Sequence, residues 1–259
     1  MIALLTAVAM VGGYFVGRAL GVPQDLLIKV SALSSTGLAM FGCFAAAQVF
    51  RPGDYLRVAW IANGVGYIAL FTSAVLRQPD PPDWINWSRV ALTGVSNVSG
   101  VLGTIWFART YRAAGLSLPI SRGARLFTIA LTTAMAALAA GIPVFDNANA
   151  IFSGAGKYGN YIGVISSAGD GIMLALIAPL VMTAFALHGG SLARTFWLLS
   201  ASYAAWLFFD AQDTFDFFFR PQGEMRTLVV FAVEPFRQIA CVLVFAAAMA
   251  QRAVVREGA

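Results

Sequence analysis

The sequence predicts an all-α, polytopic membrane helix bundle of about eight transmembrane helices, and three observations carry that prediction. Of 259 residues, 59% are hydrophobic and only 11% charged, whereas a soluble domain carries about 25% charged residues. Mean hydropathy is +0.76. Eight apolar stretches are each long enough to span a hydrocarbon core of about 30 Å, which takes roughly 20 helical residues. So little polar surface cannot cover a water-soluble globule, and lipid is the expected solvent and partner.

The stretches lie near 2–20, 26–50, 56–76, 89–111, 124–145, 161–187, 195–219 and 227–251. The first resembles a secretory leader in its apolarity, but it lacks a basic start and a small-x-small cleavage site, so it is expected to remain as a span. Turn formers separate the next ones: Gly21-Val22-Pro23, Arg51-Pro52-Gly53-Asp54, and the Pro/Asp-rich run from Gln78 to Asp83. The segment 143–160, with Asp146, Asn147, Asn149, Gly154, Gly156 and Gly159, reads as a mobile surface loop. His188-Gly189-Gly190 closes the sixth stretch, with His188 as an interfacial cap. These breaks, and the few residues after the eighth stretch, leave no room for a soluble domain, so residues 1–259 are expected to form one transmembrane domain.

Eight spans put both termini on one side. Arg109, Arg112, Arg122 and Arg125 form the densest basic cluster, and Arg252 and Arg256 follow the last span. Positive-inside bias therefore predicts cytoplasmic termini in a bacterial inner membrane, with Trp60, Trp106 and Trp197 near the cytoplasmic interface and Trp84 and Trp87 near the outer one. The net charge of +5 is absorbed by this role, and no nucleic-acid partner is expected. Arg57 and Trp60 open the third span, and Arg194 and Trp197 open the seventh. The echo suggests two parallel four-helix repeats, 1–115 and 116–259.

The intramembrane charges carry the functional reading. At about 1.5 Å rise per residue, Asp170, Asp210 and Glu234 fall roughly 10–14 Å below the outer surface on three consecutive spans. Arg237 lies slightly deeper and Asn97 of the fourth span at a similar depth. Asp210, Asp213 and Asp216 climb one helix arc at three-residue spacing. Glu234 and Arg237 suit an i, i+3 pair, and Pro235 between them should loosen that helix. Each centrally buried charge costs on the order of 2.5–3.5 kcal/mol on insertion scales, so the layer must pair internally or face water.

Two functions follow. One is an acidic pocket of Asp170, Asp210, Asp213, Glu234, Arg237 and Asn97, open to the outer side, holding a small polar or cationic ligand or protons for transport or sensing. The other is a non-catalytic subunit of a larger membrane assembly, in which Arg237 bridges Glu234 and Asp210 as a clamp. Lys29 and Lys157 lie near an interface and in a loop, which removes a retinal Schiff base. A single histidine removes bis-histidine haem and His-based metal sites. Gly169-Asp170-Gly171 and Phe209-Asp210 resemble the paired aspartates of intramembrane aspartyl proteases in these few residues alone. Ser167 stands where that family has glycine and the two motifs are in reverse order, so no protease activity is inferred. No cofactor, metal or enzymatic nucleophile–base pair is expected. Cys43 and Cys241, each inside an apolar run, read as unpaired packing residues, and Gly12, Gly13, Gly17, Gly100 and Gly103 as close-packing positions.

Overall fold

The structure is a computed structural model that describes residues 2–113, 121–187, 190–220 and 222–257. All regular structure among them is α-helical: α1 (Ile2–Ala19), α2 (Gln24–Ala47), α3 (Tyr55–Val75), α4 (Asp83–Ala113), α5 (Arg122–Phe152), α6 (Tyr158–Ala175), α7 (Ile177–Ala186), α8 (Ser191–Phe219) and α9 (Glu224–Glu257). Six helical stretches are long and apolar enough to cross a membrane: α2, α3, α4, α5, α6 with α7, and α9. Large apolar side chains such as Leu4, Phe127, Leu138 and Phe145 point outward, as they do when lipid is the surrounding solvent.

Seven of the helices close a ring. α2 packs on α3, α3 on α4, α4 on α6, α6 and α7 on α8, α8 on α9, and α9 back on α2. α1 lies outside it against α9 and α2, and α5 lies outside it against α6 and α8. Small residues let the ring helices approach: a β-carbon at Gly42 of α2 would sit 3.1 Å from the Phe245 Cα of α9. The buried seam includes Ala39, Cys43 and Ala46 of α2, Trp60 of α3, Phe107 of α4, Phe196 of α8 and Cys241 of α9. Both cysteines are free and buried.

Local chemistry explains the helix ends. Gly21 and Gly53 take φ of +76° and +92°, a region closed to most L-residues, and the backbone N–H of Arg51 donates to the Asp54 carboxylate at 2.8 Å. The sixth apolar stretch breaks at Leu176, between α6 and α7. Pro179 removes the donor that the Ala175 carbonyl would need and its ring crowds that carbonyl.

Several expectations are corrected. Residues 143–152 are helical, because α5 runs on past Pro143 to Phe152. Two side chains hold this end in place. Asn147 Nδ2 donates to the Pro143 carbonyl at 2.8 Å, and Asn160 Nδ2 donates to Asn147 Oδ1 at 2.9 Å, tying α5 to the start of α6. The carbonyl of Ala139, which loses its donor to Pro143, accepts from Thr214 Oγ1 of α8 at 3.5 Å. Trp60 belongs to no interfacial belt: it is fully buried and donates from Nε1 to Gln251 Oε1 at 2.9 Å. Gly12 and Gly13 face open space, whereas Gly17 meets Leu27, and Gly103 meets Asn63 and the Ala59 carbonyl. The cap assigned to His188 lies outside the described residues.

Candidate functional site

The ring encloses a cavity of about 310 Å³ to which all its major helices contribute. It lies towards the end of the bundle where α3 finishes and α4 begins. α4 supplies Arg89, Thr93 and Asn97, and α6 supplies Ser166 and Asp170. From α8 come Tyr203, Trp206 and Asp210, and from α9 Arg237. Asn63 and Tyr67 of α3 and Thr36 of α2 complete the polar wall, with Arg77 entering from the turn after α3.

Backbone proximity sets this wall. Gly66 of α3 rides on α4 so closely that a β-carbon would stand 3.1 Å from the Ser96 carbonyl oxygen. Gly169 does the same for α6, where a β-carbon would strike the Asn97 side chain. That contact seats Asn97 beside the residue preceding Asp170. Asn97 Nδ2 donates to the Thr93 carbonyl at 3.0 Å, and Ser166 Oγ donates to Asp170 Oδ2 at 3.2 Å. Below them, the Thr104 and Tyr203 hydroxyls meet at 2.6 Å and join α4 to α8.

Of the residues expected from sequence, Asp170, Asp210, Arg237 and Asn97 line the cavity. Glu234 does not. It is 2% exposed and turned towards α2, where its carboxylate accepts from Ser31 Oγ at 2.5 Å and from Arg237 Nη2. Gln238 Nε2 donates to Ser31 Oγ at 2.6 Å, and Arg237 Nη2 also donates to the Ile28 carbonyl at 3.1 Å. Arg237 thus pairs with Glu234 as anticipated and ties α9 to α2 through the Ile28 carbonyl, while its guanidinium carbon stands 5.4 Å from the Phe209 ring centroid of α8. Asp213 falls within α8, but its side chain lies outside the described residues.

Sequence reasoning missed Arg77 and Arg89. They flank the short turn between α3 and α4 and read as ordinary interfacial arginines, yet both turn inward and line the cavity. Neither makes an ion pair with a carboxylate among the described residues; the pair found there is Arg237 with Glu234. The signal available was their placement at facing ends of two helices joined by a tight turn. No three or more His, Cys, Asp or Glu among the described residues are grouped to hold a metal ion.

The fold and cavity define a class: an all-helical chain with membrane-length apolar helices around a charged, polar chamber. No family model, no curated protein and no solved structure matches it.

Proposed function

We propose that this chain is an integral membrane protein of about eight spans that holds a small polar ligand in the chamber of its helix ring, for transport or sensing. In this reading α1 and α8 join the six apolar stretches as spans, and both termini face the cytoplasm of a bacterial inner membrane. The chamber then opens towards the outer side. One observation carries the reading. Asp170, Asp210, Arg77, Arg89 and Arg237, from five different segments, converge on one cavity of about 310 Å³, at the lower end of the range of small-molecule sites. Intramembrane ionisable groups are costly and face water or one another, and a hydrated chamber satisfies that requirement.

The ring also supports the proposed duplication. Pairing α2 with α6 and α7, α3 with α8, and α4 with α9 maps the contacts of one half onto those of the other, and maps the α4–α6 contact onto α9–α2. α1 and α5 depart from the pattern: α1 also packs on α9 and α5 on α8, with no α4–α5 or α1–α3 packing of matching extent among the described residues.

The alternative, a structural subunit, draws on the knot of Ser31, Glu234, Arg237 and Gln238. That knot ties α2 to α9 within the chain, and two of its atoms, Arg237 Nε and Gln238 Oε1, are buried without a hydrogen-bond partner among the described residues. The decisive experiment places a cysteine at Ser96, which lines the chamber, in a background carrying Cys43→Ala and Cys241→Ala. Small water-soluble thiosulfonates added to oriented vesicles should modify it from the outer face. Complete inertness to reagents of either charge would refute the hydrated chamber.

A further inference from the structure

Cations gather at one end of the chamber. Arg77, in the turn after α3, and Arg89, in the second turn of α4, both line the space. Lys29 of α2 joins them, its Nζ donating to the Arg77 carbonyl at 2.8 Å. Two contacts between α4 and α6 fix the level. The Trp87 ring packs against Tyr158 and Tyr161 at the start of α6, and Asn97 meets Gly169, next to Asp170. Arg89 therefore stands near the mouth, and Asp170 lies about 12 Å deeper by the helical rise. That separation exceeds the roughly 8 Å Debye length of physiological salt. In a hydrated chamber the aspartate does little to offset charge at the mouth.

The two guanidinium groups find no counter-charge of their own. They lie within electrostatic reach of each other, a repulsive pairing. Neither makes an ion pair or a side-chain hydrogen bond among the described residues, and Arg89 Nε is shielded from solvent without an acceptor. Arg77 also lies within reach of Glu234, but that carboxylate is engaged by Arg237 and Ser31. Lys29 adds positive charge and removes none. Arg237 shows the contrast: it turns inward too, yet has Glu234 and the Ile28 carbonyl. Guanidinium forks are the donors that carboxylate and phosphate groups accept bidentately, so one oxyanion between Arg77 and Arg89 would satisfy both.

Resting on the chamber reading above, we propose that the mouth of the chamber is an oxyanion site, where Arg77 and Arg89 together hold the carboxylate or phosphate group of a small ligand. Lys29 strengthens the attraction and steadies Arg77 through its carbonyl. The rest of the ligand extends inward along the α4 wall of Thr93, Ser96 and Asn97, whose hydroxyl and amide groups suit a polar body.

Thr93 lines the chamber one turn inside Arg89. A Thr93→Cys reporter in the Cys43→Ala, Cys241→Ala background therefore reads occupancy of the site, while Ser96→Cys reads whether the chamber is hydrated. Acetate, benzoate and inorganic phosphate are the probes at constant ionic strength, with acetamide, benzamide and benzylamine as uncharged and cationic controls. At least one oxyanion should protect the reporter from methyl methanethiosulfonate at a concentration roughly tenfold or more below every control. Arg77→Gln and Arg89→Gln should each weaken that protection by roughly ten- to a hundredfold, the loss of one charge-assisted hydrogen bond, and leave the controls unchanged; Arg89→Lys retains part of it. Comparing dodecyl maltoside with vesicles separates two sources of the oxyanion. A soluble ligand leaves the reporter reactive in both until a probe is added. A lipid phosphate keeps it slow in phosphatidylcholine or phosphatidylglycerol vesicles, and removing the lipid or Arg77→Gln releases it. The oxyanion site is overturned if the controls protect as well as the oxyanions, if the arginine variants change nothing, or if nothing protects in either setting. A reporter inert in both settings overturns it too. In each of these cases a reactive Ser96→Cys keeps the chamber; if neither cysteine reacts, both fall.

Discussion

Replacing Glu234 with glutamine should separate the clamp from the chamber. Glu234 is 2% exposed and is the anionic partner of Arg237. An amide at this position can still accept from Ser31 Oγ, now at 2.5 Å, but it removes the charge that offsets the Arg237 guanidinium, which is only 12% exposed at the edge of the chamber. Removing one partner of a buried pair costs about 3–5 kcal/mol. Arg237 keeps two compensations, the Ile28 carbonyl at 3.1 Å and the Phe209 face at 5.4 Å, and a cation–π contact is worth about 0.5–2 kcal/mol. The expected loss for Glu234→Gln is therefore at the lower end, about 3 kcal/mol. Arg237→Met should cost a similar amount, because it strands Glu234. The double variant should cost less than the sum by about 2–3 kcal/mol, since it leaves no buried charge behind. Asp210→Asn, at the chamber wall, should cost under about 1 kcal/mol. Equilibrium unfolding in mixed micelles, read by tryptophan fluorescence, measures all four. A Glu234→Gln variant within about 0.5 kcal/mol of the parent, or an additive double variant, would refute the buried clamp.

Gly169→Ala should lower stability by about 1–3 kcal/mol through overpacking against Asn97, while Gly12→Ala, with nothing near its β-carbon, should raise it by up to about 1 kcal/mol through helix propensity; thermal unfolding of both variants tests the opposite signs. Trp60→Phe leaves Gln251 Oε1 without its donor, and the unmet buried acceptor should cost about 1–3 kcal/mol in the same assay. Cysteines at Gln78 and Gly53, in turns at opposite ends of α3, should react with impermeant reagents from opposite faces of the membrane; labelling from one face refutes the topology.

Helices were legible because hydrophobicity, turn formers and length all pointed the same way, and the eight apolar stretches correspond to the observed helices with one stretch divided at Leu176. Residue counting put Asp170, Asp210 and Asn97 at a similar level with Arg237 slightly deeper, and all four line one cavity. Azimuth was not legible. Glu234 shares that level but is turned to α2, because Ser31 and Gln238 offer a hydrogen-bond pocket on that side that no period in the sequence encodes. Arg77 and Arg89 failed for a different reason: long side chains reach well beyond the level of their own backbone. Charges assigned to an interface by residue counting can therefore end inside a cavity. Residues 143–152 misled because the Asn147 amide bonds back along α5 and across to Asn160 of α6 instead of solvating a loop.

The cavity lining is most informative when set against the proposed repeat. Aligning Arg57 and Trp60 with Arg194 and Trp197 places Ser73 of α3 opposite Asp210 of α8, and both line the chamber. The same alignment places Arg77 opposite Thr214, which bonds outward to α5. The equivalent helices thus reach the chamber at equivalent heights, but one delivers a cation near its end and the other an anion one turn deeper. Trp60 and Trp197 diverge likewise, one buried against Gln251 and the other 41% exposed. A ring with two-fold contacts would by itself present the same chemistry twice, which suits a symmetric ligand or none. The substitutions break that duplication, so equivalent positions carry unlike side chains. Side chains at the buried seam of α3, α8 and α9 hold the helices together whatever the lining carries, so this difference is not something packing requires.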